Sequence, residues 1–261
     1  MLAGTLAVLL FGALSSGRQD EFAPGWNGLA EKPSMGWRPW NSFRNFAYQD
    51  TLEAVAKALT ARNRTIRGDE KEKVSLCDLG YCELGVSEGY ELKKGNTMHD
   101  THGNPLIDTD HFPNMKKLTG MAHRLNLTIG WYLNSCNFGG EQNDSLVNYQ
   151  GDVRNLLELG FDGAKIDGCG NMLNFTLYAE LMRDVQQATG KAFIFEDARV
   201  DRLAGECSDP RIPDIDLCPT ANRCPWNRFR TSNDIQAFAE GWFWNLQTGK
   251  HVPPLCWALA S

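Results

Sequence analysis

Strand-like runs and helical stripes take turns along most of this chain, and that alternation restricts it to folds built around a parallel sheet. Leu52, Val55, Ala56 and Leu59 recur three and four residues apart, the spacing of one helix face. YCELGVSE (81–88) then reads as a short buried strand. Met115, Leu118, Met121, Ala122 and Leu125 form a second stripe, with Pro113 just before its start. LTIGWYL (127–133) reads as a strand. Leu146, Tyr149, Val153, Leu156 and Leu157 form a third stripe, closed by Gly160 in the position of a helix C-cap. GAKID (163–167) follows as a strand. After it come the stripe Leu173, Leu177, Tyr178, Leu181, Met182 and Val185, closed by Gly190, and the strand KAFIFED (191–197). Parallel strands need a crossover between them, and a helix is the usual one.

The strands end on polar or charged residues: Glu88, Asn134, Asp167 and Glu196-Asp197. In a (β/α)8 barrel the C-terminal strand ends form the active face, and this pattern suits that fold. A doubly wound open sheet shows the same alternation. No GxGxxG follows the first strand, however, which counts against a dinucleotide fold. At 261 residues with 22% charged, the chain can bury a sizeable core as one large α/β domain or two small ones. The segment 198–223 is long and irregular and carries Cys207 and Cys218. Loops of that length in a compact domain are usually functional or pinned by disulfides.

Two segments carry the chemistry: AKIDGCG at 164–170 and CPWNRFRTSNDI at 224–235. Each delivers an Asp, Asp167 and Asp234, to what reads as the end of a short strand. Two carboxyls in one cleft are the minimum equipment for cleaving a glycosidic bond. One attacks or stabilises the sugar cation and the other handles the leaving-group proton. An Asp at a strand end also serves as an ordinary cap of the following helix. Eight Trp and six Tyr supply flat rings on which sugars stack, although rings of that kind also build cores.

The net charge of −6 argues against nucleic acid or an anionic membrane as partner, since either calls for a basic face. Residues 1–17 form a compact apolar run ending in small residues. The run is too short and too early to span a membrane and reads as a secretory signal peptide. An N-terminal linker (18–31) and a single catalytic domain (32–261) follow. The sequons at Asn63, Asn126, Asn143 and Asn174 and the eight cysteines agree with a secreted or lumenal route, where disulfides form. No cysteine or histidine spacing resembles a zinc site, and His99 with His102 reads as solvated loop. A homodimer is compatible with the sequence.

PSMGWRPWNSF (33–43), LGYCELGVSEGYE (79–91), GNPLIDTDHFPNMKKL (103–118), IGWYLNSC (129–136), KIDGCG (165–170) and CPWNRFRTSNDI (224–235) stand in one order and register. In that register the chain resembles glycoside hydrolase family 27, the α-galactosidases and α-N-acetylgalactosaminidases, from about Pro33 to its end. The resemblance implies an α/β fold, a (β/α)8 TIM-type barrel, and a retaining mechanism with no metal and no cofactor. It implies a carbohydrate substrate, a terminal α-galactoside-like residue. Asp167 would be the nucleophile and Asp234 the general acid and base. Lys165, two residues before Asp167 and therefore on the same face of its strand, would hydrogen-bond sugar hydroxyls and hold Asp167 ionised. Arg230 matches a sugar-binding arginine, Trp40 would wall the pocket, and Tyr132 would lie beside the nucleophile. Cys136 and Cys169 match a disulfide joining two strand ends, stabilising the fold by about 2–4 kcal/mol.

The chain also departs from the family. An Asp-Asp pair that grips the far side of the sugar aligns with Ser87-Glu88. Losing a charged hydrogen bond to a hydroxyl costs about 1.5–3 kcal/mol, enough to change which sugar is preferred. A β-L-arabinopyranosidase or a catalytically impaired sugar-binding protein are the alternatives this raises. A family disulfide aligns with Gly89 and, at about the same register, Asn45, so both halves are absent together. PPLCWALAS (253–261) resembles the start of the seventh strand. The expectation is therefore an incomplete barrel of about seven strands, lacking the eighth strand and a C-terminal β-domain.

Overall fold

The computed structural model describes residues 27–30, 32, 34–66, 69–92, 97–135, 145–198, 226–230, 234 and 243. In chain order these give β1 (Gly36–Trp37), α1 (Trp40–Phe43), α2 (Gln49–Thr60), β2 (Arg64–Ile66), β3 (Asp69–Val74), β4 (Glu83–Gly85), α3 (Met115–Arg124), β5 (Thr128–Ser135), α4 (Leu146–Leu159), β6 (Gly163–Gly170), α5 (Phe175–Thr189), β7 (Ile194–Asp197) and β8 (Arg228–Phe229). β2 and β3 pair antiparallel as a separate hairpin that helical periodicity did not announce. The other strands form one six-stranded sheet in the order β1-β4-β5-β6-β7-β8, and every pair in it is parallel. This is the α/β architecture expected from the alternation, with six barrel strands among the described residues. Residues 253–261 lie outside them, as do 199–225.

The helices form where the stripes predict them. Asn114 caps α3 by accepting from the Lys117 backbone N–H at 2.8 Å, and Asn174 caps α5 by accepting from Leu177 at 3.0 Å. Gly160 and Gly190 close α4 and α5 in the left-handed region, at φ 82° and 78°. The strand in 81–88 is shorter than expected. A 3-10 turn at Cys77–Leu79 and the Cys77–Cys82 disulfide occupy its approach, and Ser87-Glu88 lie beyond its end. β1 was not foreseen as a strand, because two residues carry no periodicity.

The outer face of the sheet packs against the helices. Ile129, Trp131 and Leu133 of β5, Ala164 and Ile166 of β6, and Phe195 of β7 are all buried there, with Leu118, Val153, Leu156, Tyr178 and Leu181 from α3, α4 and α5. Trp131 stacks on Phe161, with ring centroids 5.0 Å apart. Each such fully buried side chain contributes about 1.5–3 kcal/mol of transfer free energy.

The sheet is strongly curled. Arg38, next after β1, pairs with Glu196 of β7 at 3.2 Å, and Arg228 of β8 grips Glu83 of β4 at 2.8 and 2.6 Å. In a flat sheet each pair would be four strand spacings apart, roughly 19 Å, farther than the two side chains reach together. Both ion pairs therefore cross the concave interior of a partial barrel. Inward positions at Gly85 and Gly130 make room for Arg38. A Cβ on Gly85 would stand 2.4 Å from the Arg38 Cγ, and one on Gly130 would stand 3.1 Å from its Nη2.

Candidate active site

The register of β5 against β6 places Tyr132 beside Lys165, and that of β6 against β7 places Lys165 beside Glu196. Parallel partners share a face, so Tyr132, Lys165, Asp167 and Glu196 all point into the concavity. The Tyr132 hydroxyl donates to Asp167 Oδ2 at 2.7 Å, and the Gly168 N–H donates to Asp167 Oδ1 at 2.8 Å. Burial, and then the negative charge of Asp167, push the Tyr132 phenol far above its usual pKa, so it stays a donor. The Lys165 ammonium lies 6.0 Å from the Tyr132 ring centroid. Burial pulls its pKa down first, and Arg38 and Arg230 pull the same way against Glu196 and Asp167.

Asp234 sits across the concavity, with both carboxyl oxygens engaged. Arg230 Nη2 donates to Oδ1 at 2.6 Å, and the Trp40 indole N–H donates to Oδ2 at 3.0 Å. Trp40 follows β1 and Arg230 follows β8, so the acid is held by both edges of the sheet. Trp40 thus holds a carboxyl.

Glu88 is half-buried. Burial and then the Asp167 charge raise its pKa, which places it on the Asp167 side of the concavity. Ser87 is buried, at 6% exposure. Cys169 is disulfide-bonded to a partner outside the described residues, and Cys136 lies outside them too. Gly89 and Asn45, where the family bridge is missing, do touch. A Cβ on Gly89, at φ 111°, would stand 2.3 Å from the Asn45 carbonyl oxygen.

One expectation needs correction. His99 is not solvated loop: it is 5% exposed, and its Nε2 lies 2.9 Å from Asp152 Oδ1, while Tyr178 donates to Asp152 Oδ2 at 2.6 Å. The loop carrying it folds down onto α4 and α5, a tertiary contact that local sequence does not encode. His102 is exposed, as expected. Among the described residues no three His, Cys, Asp or Glu side chains cluster as a metal site, and no helix is long and apolar enough to cross a membrane.

Sequence reading missed Arg38, Glu83 and Arg228, and gave Asn134 and Glu196 only as polar strand ends. Arg38 stands in the same motif as Trp40, so it was within reach. The partners Glu196 and Glu83 required the sheet order. A cavity of about 450 Å³ opens at the other end of the sheet, lined by the N-terminal strand ends and by Glu83, Arg228, Arg38 and Glu196. Tyr132, Lys165 and Asp167 do not line it, so the Arg38–Glu196 pair divides it from the carboxyl face.

No protein-family model matches the chain. It is 27% identical over 172 residues to α-galactosidase 3 of Arabidopsis thaliana, covering 65% of this chain and 36% of that protein. The solved α-galactosidase of Saccharomyces cerevisiae superposes with a TM-score of 0.58 at 20% identity, covering 82% of this chain and 43% of that one. A family 27 β-L-arabinopyranosidase of Geobacillus stearothermophilus superposes with a TM-score of 0.57 at 14% identity, covering 85% and 57%. The chain is similar to α-galactosidases over part of their length. It shares the barrel fold of these solved structures, and it spans about a third to a half of the length of the curated relatives it matches.

Proposed function

We propose that this chain is a retaining α-glycosidase that removes terminal α-galactoside-like residues from oligosaccharides or glycoconjugates. The observation that carries this reading is the pair of carboxyls on one concave face, Asp167 held by Tyr132 and Asp234 held by Arg230 and Trp40. Asp167 attacks the anomeric carbon while Asp234 protonates the bridging oxygen. The bond breaks through an oxocarbenium-like state and leaves a sugar ester on Asp167. Water, deprotonated by Asp234, then releases the sugar with retained configuration. To act as acid, Asp234 must free one oxygen, so the incoming sugar displaces either the Trp40 indole or the Arg230 guanidinium. Arg230 is the better candidate to move, because its donors suit ring hydroxyls as well as a carboxylate. Lys165 faces the same space and supplies donors to the sugar.

The test is turnover of an aryl α-galactoside by the wild-type chain and by Asp167→Asn, with the product anomer followed by NMR and a mechanism-based inhibitor mapped to its site. Retention, loss of turnover in Asp167→Asn and labelling of Asp167 support the reading. Full turnover by Asp167→Asn ends it. Ser87 and Glu88 favour a second reading, altered sugar preference. A panel of aryl glycosides that includes β-L-arabinopyranosides separates the two, and sugar binding without hydrolysis identifies an impaired binder.

The secretory route belongs to the same reading. Asn63, Asn126 and Asn174 are exposed. A mass decrease on glycosidase treatment of the protein secreted from eukaryotic cells checks it, and an unglycosylated cytosolic product refutes it.

A further inference from the structure

Asn134 lies two residues beyond Tyr132 on β5 and faces the same concavity. Its Nδ2 is 3.2 Å from the Tyr132 hydroxyl oxygen. That hydroxyl has a single proton, and the proton is committed to Asp167 at 2.7 Å. Whatever Asn134 offers Tyr132 must therefore be an N–H, which fixes the orientation of the amide. The other end of the amide bears the cost. Asn134 Oδ1 is buried and has no hydrogen-bond partner among the described residues. A buried acceptor left unpaired is unfavourable, and a Ser or Ala would avoid it. The side chain gives up one hydrogen bond to keep the other.

We propose that Asn134 is a positioning residue for the nucleophile. Its amide holds the Tyr132 hydroxyl in the rotamer that donates to Asp167, and an uncharged N–H donor is required at this position. The relay runs from Asn134 to Tyr132 to Asp167, and each hydrogen bond points toward the carboxylate. An ionised carboxylate in place of the amide has nothing to donate. It would also add negative charge beside Asp167, where the Glu88 carboxyl already stands close. The Tyr132 proton would then be shared between two acceptors, and Asp167 would lose its fixed donor. The inference rests on the family 27 reading for what Asp167 does, but the hydrogen-bond relay itself does not depend on turnover.

The experiment compares Asn134→Asp, Asn134→Ala, Tyr132→Phe and the Tyr132→Phe/Asn134→Ala double variant in the full chain, on an aryl α-galactoside from pH 4 to 8. Asn134→Asp is expected to lose about 10- to 100-fold in kcat at neutral pH, with KM within about 2-fold. Its activity relative to wild type recovers as pH falls toward about 4, where the introduced carboxyl is protonated and can donate again. Asn134→Ala loses about 10-fold with no such recovery. The double variant is no slower than Tyr132→Phe, because both substitutions break one relay. Neutral-pH kcat of Asn134→Asp equal to wild type, or losses in the two single variants that multiply in the double, overturns the proposal. If the wild-type chain itself turns over nothing, the family reading fails, and the relay is read instead from thermal denaturation of the same four proteins. A Tm loss in the double variant smaller than the sum of the singles supports the relay, and a strictly additive loss overturns it.

Discussion

Along β5, Ile129, Trp131 and Leu133 face the helices, while Gly130, Tyr132 and Asn134 face the concavity. The same split runs through β6, where Ala164 and Ile166 lie opposite Lys165 and Asp167, and through β7, where Phe195 lies opposite Glu196. One face is a packed hydrocarbon layer. The other carries Arg38, Glu83, Lys165, Asp167, Glu196 and Arg228, bound to one another across the curl of the sheet. The strands themselves are common to both, so backbone pairing cannot account for the difference. Side-chain alternation lets one sheet hold a core on its back and a polar, water-accessible floor on its front.

Substitutions on the two faces should therefore fail differently. Asp167→Asn should abolish hydrolysis, by 10³-fold or more in kcat, while far- and near-UV circular dichroism stay unchanged. A parallel loss of structure would put Asp167 in the wrong category. Trp131→Ala, on the outer face, should cost about 3–5 kcal/mol in chemical denaturation, because it empties the space against Phe161. Should that variant fold, any residual activity would scale with its folded fraction.

The inner face also has a structural component, and pH exposes it. Burial pushes the Glu83 carboxyl up, but hydrogen bonds from Arg228 and Ser34 and the charges of Arg228 and Arg38 outweigh it, so its pKa is lowered on folding. A lowered carboxylate stabilises the fold above its unfolded pKa and loses that contribution as pH falls through the folded value. Glu83→Gln should destabilise by about 1–2 kcal/mol near neutral pH. The difference from wild type should shrink below about pH 4. A gap that stays constant with pH would mean that the Glu83–Arg228 pair adds nothing through charge.

Glu88 gives the opposite sign and the smallest effect. Burial first, then Asp167, raise its pKa, so its charge is a cost that appears only as pH rises through the folded value. Glu88→Gln should raise Tm slightly at pH 7 and leave it unchanged in acid, below the usual glutamate range. A lower Tm at pH 7 would show that Glu88 has a stabilising partner instead. Its effect on sugar preference is measured separately, by the glycoside panel.

Helices α2 to α5, and the glycine C-caps of α4 and α5, were legible because helical period and end signals are local. Strands β5, β6 and β7 were legible as apolar runs bounded by polar residues. The two-residue strand β1 was not legible as a strand, because pairing alone defines it, whereas β8 falls in the segment 224–235 that reads as a short strand. At the site, Asp167 and Asp234 were legible from the register of six motifs, and Lys165 from its spacing of two from Asp167. Asn134 stood in the same motif as Tyr132, but nothing local said that its amide would be spent on a phenol.

By itself the sequence determined which residues lie on which face of each element, since the periods of 2 and 3.6 are written residue by residue. It could not determine how far the sheet curls. The curl brings Arg38 to Glu196, Arg228 to Glu83 and Trp40 to Asp234, each pair more than a hundred residues apart in the chain or joined across four or five strands. Such contacts depend on the summed twist of every strand pair and on the volume that inward glycines leave free. Those quantities exist only once the whole sheet has assembled.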